Sequence, residues 1–210
     1  ARKALRANLS DLSAKGAEPA GFLLSIALPA DLDLAWLERF CAALAQDAAH
    51  FRCPLFGGDT DRTREALAIT IFAFGLLPAG GMVRRAGARP GDRVAVSGTI
   101  GEATLGLRLA RDPALGRRWS LTDSERDALI ARYRVPQPRT ALAGILRAHA
   151  HAAMDISDGL AGDLAKLCRV SGVTAEVEAA RVPLGAAVRK VLAAEPDLLP
   201  ALLSGGDDYE

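Results

Sequence analysis

Cysteine is scarce in this chain: Cys41, Cys53 and Cys168 are the only three among 210 residues. So few and so scattered, they exclude a disulfide scaffold and a four-thiolate zinc site; a reducing compartment fits, with each thiol expected as a small core residue. Aromatic residues make up 5% of the sequence, and no long uninterrupted apolar run exists, so no segment reads as a membrane span. An excess of one charge is missing too. With 26 basic and 25 acidic residues the formal net charge is +1, which gives no bulk attraction to nucleic acid or to an anionic membrane surface. Affinity for phosphate, if present, has to be local.

Several nucleotide and catalytic signatures are absent as well. There is no Gly-x-x-x-x-Gly-Lys-Ser/Thr loop, no Gly-x-Gly-x-x-Gly fingerprint and no hydrolase elbow, which leaves a P-loop ATPase, an ordinary dinucleotide fold and a serine hydrolase without support. His50, His149 and His151 lack metal-ligand spacing, and the last two fall at the end of an expected helix, where solvation or the helix dipole accounts for them. The start carries neither an initiator Met nor a signal-peptide layout, and residues 1–210 are expected to be the central part of a longer polypeptide with a cytoplasmic location.

What is present is a composition that is 50% apolar, enough to build one large core or two ordinary ones. Leu5, Leu9 and Leu12 recur at helical spacing, with Gly16 where a C-cap belongs. Phe22 to Leu28 reads as a buried strand and Leu32 to Ala49 as a helix; Cys53 to Phe56 leads into a glycine turn at Gly57-Gly58-Asp59. Leu67 to Leu77 reads as a central strand. Val94 to Val96, Ala152 to Ile156 and Val173 to Ala179 are expected as further short strands. Helices are expected over 102–111, 122–132, 140–150, 158–169 and 186–194, with an irregular stretch over 112–120 and Thr122 and Glu125 in a capping box. The turn-rich region between 88 and 100 divides an α/β (α+β) chain into two parts, 1–90 and 91–210.

Acids recur at helix faces and turns: Asn8 with Asp11, Asp59 and Asp61 after two glycines, Asp155 and Asp158 around Ser157, and Asp207-Asp208 after Gly205-Gly206. Hard divalent cations take oxygen ligands and bridge to phosphates, so carboxylates dispersed in sequence but converging in space would suit Mg²⁺. Each acid taken alone also fits an ordinary role. Asp59 fits a turn, Asp11 a solvated helix face, and Ser157 with Asp158 a helix cap. Free N–H groups at the start of the following helix would hold an anion as readily as a cap. The arginines at 84–93 read either as phosphate contacts or as an exposed basic loop.

Taken in order, these motifs resemble the bacterial thiamine-monophosphate kinase family, within the ATP-using superfamily of aminoimidazole-ribonucleotide-synthetase-like proteins. The resemblance rests on Asn8 to Leu12 leading to Gly16-Ala17-Glu18-Pro19, Gly57 to Thr60, Arg85 to Asp92, Met154 to Leu160 and Gly205 to Glu210, five motifs spread over nearly the whole chain. It implies a two-domain superfamily fold, with residues 1–90 as an ATP/Mg²⁺-binding unit that pairs in a homodimer and residues 91–210 as a second α/β unit. It further implies direct Mg²⁺-assisted transfer of phosphate from ATP to thiamine monophosphate, giving thiamine diphosphate with no covalent protein nucleophile. By the same resemblance Asp11, Asp59, Asp155 and Asp158 are Mg²⁺ ligands, and Gly58, Asp59, Arg85 and Ser157 contact ATP. Asp207 stands where the family usually carries a substrate-binding glutamate, with Asp208 as its neighbour. No nucleic acid or membrane partner is implied. The family's upstream Gly-Asp-Asp segment, its Glu-Gly-x-His-Phe-like segment and its distal aromatic are not among these residues. Rival readings are a purine-synthesis cyclo-ligase or selenophosphate synthetase, a catalytically silent nucleotide-binding or dimerisation protein, and an α/β domain whose acids only cap turns.

Overall fold

The structure, a computed structural model, describes residues 1–210. Its first part is a three-stranded sheet covered on one face by two helices. Helix α1 (Arg2–Ala14) leads through a glycine to strand β1 (Glu18–Pro29); α2 (Leu34–His50) follows, then β2 (Leu55–Thr63) and β3 (Ala68–Leu76). The strand order is β2-β1-β3, with β2 parallel and β3 antiparallel to the central β1. Leu5 and Leu9 of α1 and Phe40 and Leu44 of α2 meet Phe22 and Ile26 of the sheet in one core that also holds Cys53. A fully buried phenylalanine or leucine in such a core stabilises the fold by about 1.5–3 kcal/mol relative to an exposed one.

The second part contains helices and extended segments but no sheet. Its helices are α3 (Glu102–Arg111), α4 (Ala114–Arg118), α5 (Asp123–Arg134), α6 (Ala143–His149), α7 (Leu160–Ser171), α8 (Ala186–Ala194) and α9 (Leu199–Ser204). Leu105 and Leu109 of α3, Leu129 of α5, Val188 and Val191 of α8 and Leu202 of α9 pack around Trp119. Trp119 is almost wholly buried, and its ring N–H donates to Glu195 at 2.9 Å, satisfying the one polar atom that burial would strand. A smaller cluster of Ile100, Ile156, Leu160 and Val182 lies beneath the 154–158 segment. No helix is long and apolar enough to cross a membrane.

Several expectations need correction. Gly57, Gly58 and Asp59 form no turn: they lie inside β2, with Leu24 paired to Gly58 and Ser25 to Asp59. At Gly58 a Cβ would overlap the Leu24 carbonyl, so the close approach of β1, not chain reversal, calls for glycine there. The strand expected as central is β3, an edge strand; Ile69, Ile71 and Ala73 face the core while Phe72, Phe74 and Leu76 are exposed. Val94 to Val96, Ala152 to Ile156 and Val173 to Ala179 join no ladder, because a β-prone triplet becomes a strand only when a neighbour offers a continuous row of partners. The 112–120 stretch holds the short α4. Cys41 is exposed, whereas Cys53 and Cys168 are buried as expected.

Candidate functional site

Helix α1 sets the frame of the site. Two leucines anchor its inner face, and Arg6 donates to both carboxylate oxygens of Asp47 in α2, at 2.7 and 2.8 Å, while a third N–H reaches the Pro136 carbonyl at 3.1 Å. Both partners are buried, so the pair is fully hydrogen-bonded where an unpaired charge would be costly, and it holds α1 against both parts of the chain. With the helix fixed in this way, Ser10, Asp11 and Lys15 are delivered to the 154–158 segment.

Asp155 is the most deeply placed acid of that segment, 7% exposed, and no lysine or arginine pairs with it. Burial pushes its carboxyl above the ordinary range and the neighbouring Asp11 adds to the shift, while a hydrogen bond from Ser10 opposes it. Lys15 lies in the same neighbourhood. Burial and the nearby Arg85 lower it, and Asp11 and Asp155 act in the other direction. Thus Asp11, Asp155 and Arg85, all expected in the site, gather around a lysine that the sequence did not single out.

The two flanking motifs are fastened together by main-chain bonds. Ile156 N–H donates to the Glu210 carbonyl at 3.0 Å, Tyr209 N–H to Ile156 at 2.8 Å and Asp207 N–H to Ser157 at 2.9 Å. Asp207 (φ 72°) and Tyr209 (φ 54°) are both left-handed, a conformation of about 1–2 kcal/mol cost for a residue with a Cβ, and the acids beside them hold it in place. Asp208 accepts from the N–H groups of Gly101 and Ala103 at 2.8 and 3.2 Å, closing the start of α3. Burial raises it to about 6 despite those two bonds and the nearby Arg132. The Glu210 side chain is fully buried among Arg132 at 2.7 Å, Arg139 and Ser97 at 2.8 Å. Asp208 is therefore committed to a helix start. Asp207 points elsewhere, pairing with Lys3 of α1 at 2.9 Å while that ammonium lies 3.9 Å from the centre of the Tyr133 ring. The Tyr209 phenol is pushed far up, by burial first and then by Asp207, Asp155 and Asp11, so it stays a neutral donor beside these acids.

Ser157 does not cap the following helix. Helix α7 begins at Leu160 with Gly159 as its N-cap, and the N–H groups of Ser157 and Asp158 donate to the buried Asp163 at 3.0 and 2.9 Å. Asp163, an acid in the first turn after a glycine, was readable as a terminus-stabilising residue but not as the clamp of this loop. Asp158 is exposed and pairs with Lys166 at 2.5 Å. Gly58 and Asp59 stand apart on β2, where Asp59 accepts from the Thr60 N–H at 2.9 Å and has no hydrogen bond or ion pair to Asp11 or Asp155. No three His, Cys, Asp or Glu side chains close on a common point that could hold a metal ion. Of the four expected ligands, only Asp11 and Asp155 are brought within mutual influence.

Comparison with known proteins places these residues in a family. Residues 1–77 match the AIR synthase related protein, N-terminal domain, and residues 89–199 the AIR synthase related protein, C-terminal domain. The chain is 43% identical, over its whole length, to the thiamine-monophosphate kinase of Caulobacter vibrioides, and it spans 58% of that relative. The crystal structure of thiamine-monophosphate kinase from Stenotrophomonas maltophilia K279a superposes with a TM-score of 0.89 at 38% identity, covering 99% of this chain and 65% of that one. AaThiL complexed with AMPPCP and TMP gives a TM-score of 0.87 at 33% identity, with the same 99% and 65% coverage. The chain belongs to the thiamine-monophosphate kinase family of AIR synthase-related proteins.

Proposed function

We propose that this chain carries the nucleotide- and metal-binding centre of an ATP-dependent kinase that converts thiamine monophosphate to thiamine diphosphate. The observation that carries the reading is Asp155, buried, unpaired and raised in the presence of Asp11. Two mutually repelling carboxylates with a hydroxyl beside them suit a hard divalent cation, and Mg²⁺ commonly takes one or two protein carboxylates and completes its shell with phosphate and water. The donor set therefore fits Mg²⁺. When bound, the ion would neutralise phosphate charge during in-line transfer.

The chain's own groups then divide the work. Asp11 and Asp155 would hold the ion; Asp59 and Asp158 are assigned as further ligands, and Asp158 would have to leave Lys166 to serve. Gly58, Arg85 and Ser157 are assigned to the ATP phosphates, with Arg85 supplying charge-assisted hydrogen bonds. AaThiL, the similar protein complexed with AMPPCP and TMP, supports this pairing of ligands. Asp207 is assigned to the thiamine substrate, released for it from Lys3. The division at residue 90 into an ATP-binding unit and a second α/β unit belongs to the same reading. So does a homodimer, in which the outer sheet face bearing Phe56, Phe72 and Phe74 meets a second copy.

The test is turnover of ATP with thiamine monophosphate and Mg²⁺ by the full-length parent protein, identifying thiamine diphosphate directly, beside an Asp155→Asn variant. Product formation that falls by about a hundredfold or more in the variant is expected. A folded, ATP-binding parent that makes no thiamine diphosphate overturns the assignment.

A further inference from the structure

A cavity of about 240 Å³ lies behind the 80–86 segment; none of its lining residues holds a role above, although Arg85, between two of them, is assigned to ATP. Its wall holds three cationic or potentially cationic side chains, Arg84, Arg147 and His151, and no carboxylate. Arg84 is exposed and makes no ion pair, so its charge is uncompensated. Arg147 is fixed by a hydrogen bond to the Gly16 carbonyl and also pairs at 3.5 Å with Glu18, an exposed carboxylate whose pairing is screened by solvent. Gly16 (φ 70°) makes this possible: a Cβ there would come within 2.7 Å of the Arg147 side chain. His151 is held through Nδ1 by Asp92 at 2.9 Å, leaving Nε2 as the ring atom available to a ligand.

The wall is also built in advance of any ligand. Val83 N–H donates to the Lys15 carbonyl at 3.1 Å, Gly81 N–H to Pro78 at 2.9 Å, and the Arg84 carbonyl accepts from Ala153 N–H at 3.0 Å. The backbone carrying Arg84 is therefore pinned on both sides. One held guanidinium, that of Arg147, and a free one, that of Arg84, on one concave surface match the planar, multidentate recognition of a phosphate group. Three features oppose an anion: the carbonyl end of α6 at Ala150, and the carboxylates of Asp92 and Glu18, which stand behind His151 and Arg147 and outside the lining itself.

We propose that this cavity is a second anion site, which binds a phosphate group either as free phosphate or as the monoester end of a small molecule. It does not depend on the kinase reading, and the chain's two methionines allow the two sites to be told apart. Met82 lines the cavity and Met154 precedes Asp155. With the methionine methyls labelled with ¹³C, inorganic phosphate and AMP are titrated separately without Mg²⁺. The expected result is a saturable shift of Met82 with a Kd of about 1 mM or tighter, Met154 unmoved, and binding weakened about tenfold or more in Arg84→Gln but within about twofold of the parent in Arg85→Gln. Equal affinity for the two ligands identifies free phosphate as sufficient, and tighter AMP identifies the monoester. Absence of a saturable Met82 shift with either ligand, or an Arg84→Gln variant that binds like the parent, overturns the proposal. So does a shift that moves Met154 and disappears in Arg85→Gln, since the anion then sits at the Asp155 site.

Discussion

A single buried carboxylate, Asp208, couples the terminal motif to pH. Its folded value is raised to about 6 from an ordinary value of 3.8, mainly by burial. The folded state therefore binds this proton more tightly than the unfolded chain does. Its contribution to stability is fully present below about pH 4 and is lost as pH rises through about 6, a change on the order of 3 kcal/mol. Urea unfolding of the parent and of Asp208→Asn across pH 4 to 7 measures the difference, and the variant is expected to lack this fall. Identical pH profiles would show that the carboxyl does not titrate in that window. The acid-bearing residues were legible in the sequence as candidates, but their duties were not. Asp208 and Asp207 are neighbours of the same type, yet one closes a helix and the other meets Lys3. What separates them is the pair of left-handed residues at 207 and 209, which aims the side chains apart and leaves no mark in composition.

Helix α5 is the element whose start was written most explicitly in the sequence, although it runs two residues past the expected end at Arg132. The Thr122 hydroxyl accepts from the Glu125 N–H at 3.2 Å, and the Glu125 carboxylate accepts in turn from the Thr122 N–H at 2.7 Å. Thr122→Ala is expected to lower stability by about 1 kcal/mol, read as a shift of the urea midpoint with an unchanged slope. Helices α1, α2, α3, α5 and α8 fall within two residues of where periodicity puts them, and of these α2 and α5 also carry side-chain caps. The missed elements depend on distant partners. Val94 to Val96 has strand-forming residues but no ladder, and the glycines of β2 look like a turn until Leu24 is seen lying across them. The site divides in the same way: the motif at 154–158 was visible, whereas Lys15 and Asp163 acquire their importance only from the fold.

At the scale of the molecule, the run in β3 is apolar on both sides, as in a strand covered on both faces. The single chain covers only one. Phe72 is 61% exposed and Phe74 46%, beside Phe56, whose ring centre lies 6.3 Å from that of Phe74. The proposed homodimer accounts for this patch, and Phe72→Glu is expected to shift the protein from dimer to monomer in sedimentation velocity while leaving its circular dichroism unchanged. A parent that sediments as a monomer at micromolar concentration rules the interface out.

Helix α1 is only 13 residues long, about 20 Å, yet it touches nearly everything of interest. Leu5 and Leu9 plug the first core, Arg6 reaches Asp47 and Pro136, Lys3 holds Asp207, and Ser10 and Asp11 stand by Asp155. It serves as a common axle for the two blocks of the molecule. Turning it by one residue, about 100°, would unseat the leucines and withdraw the acids in the same stroke. Loosening at either block consequently disarms the centre before the other block has begun to melt.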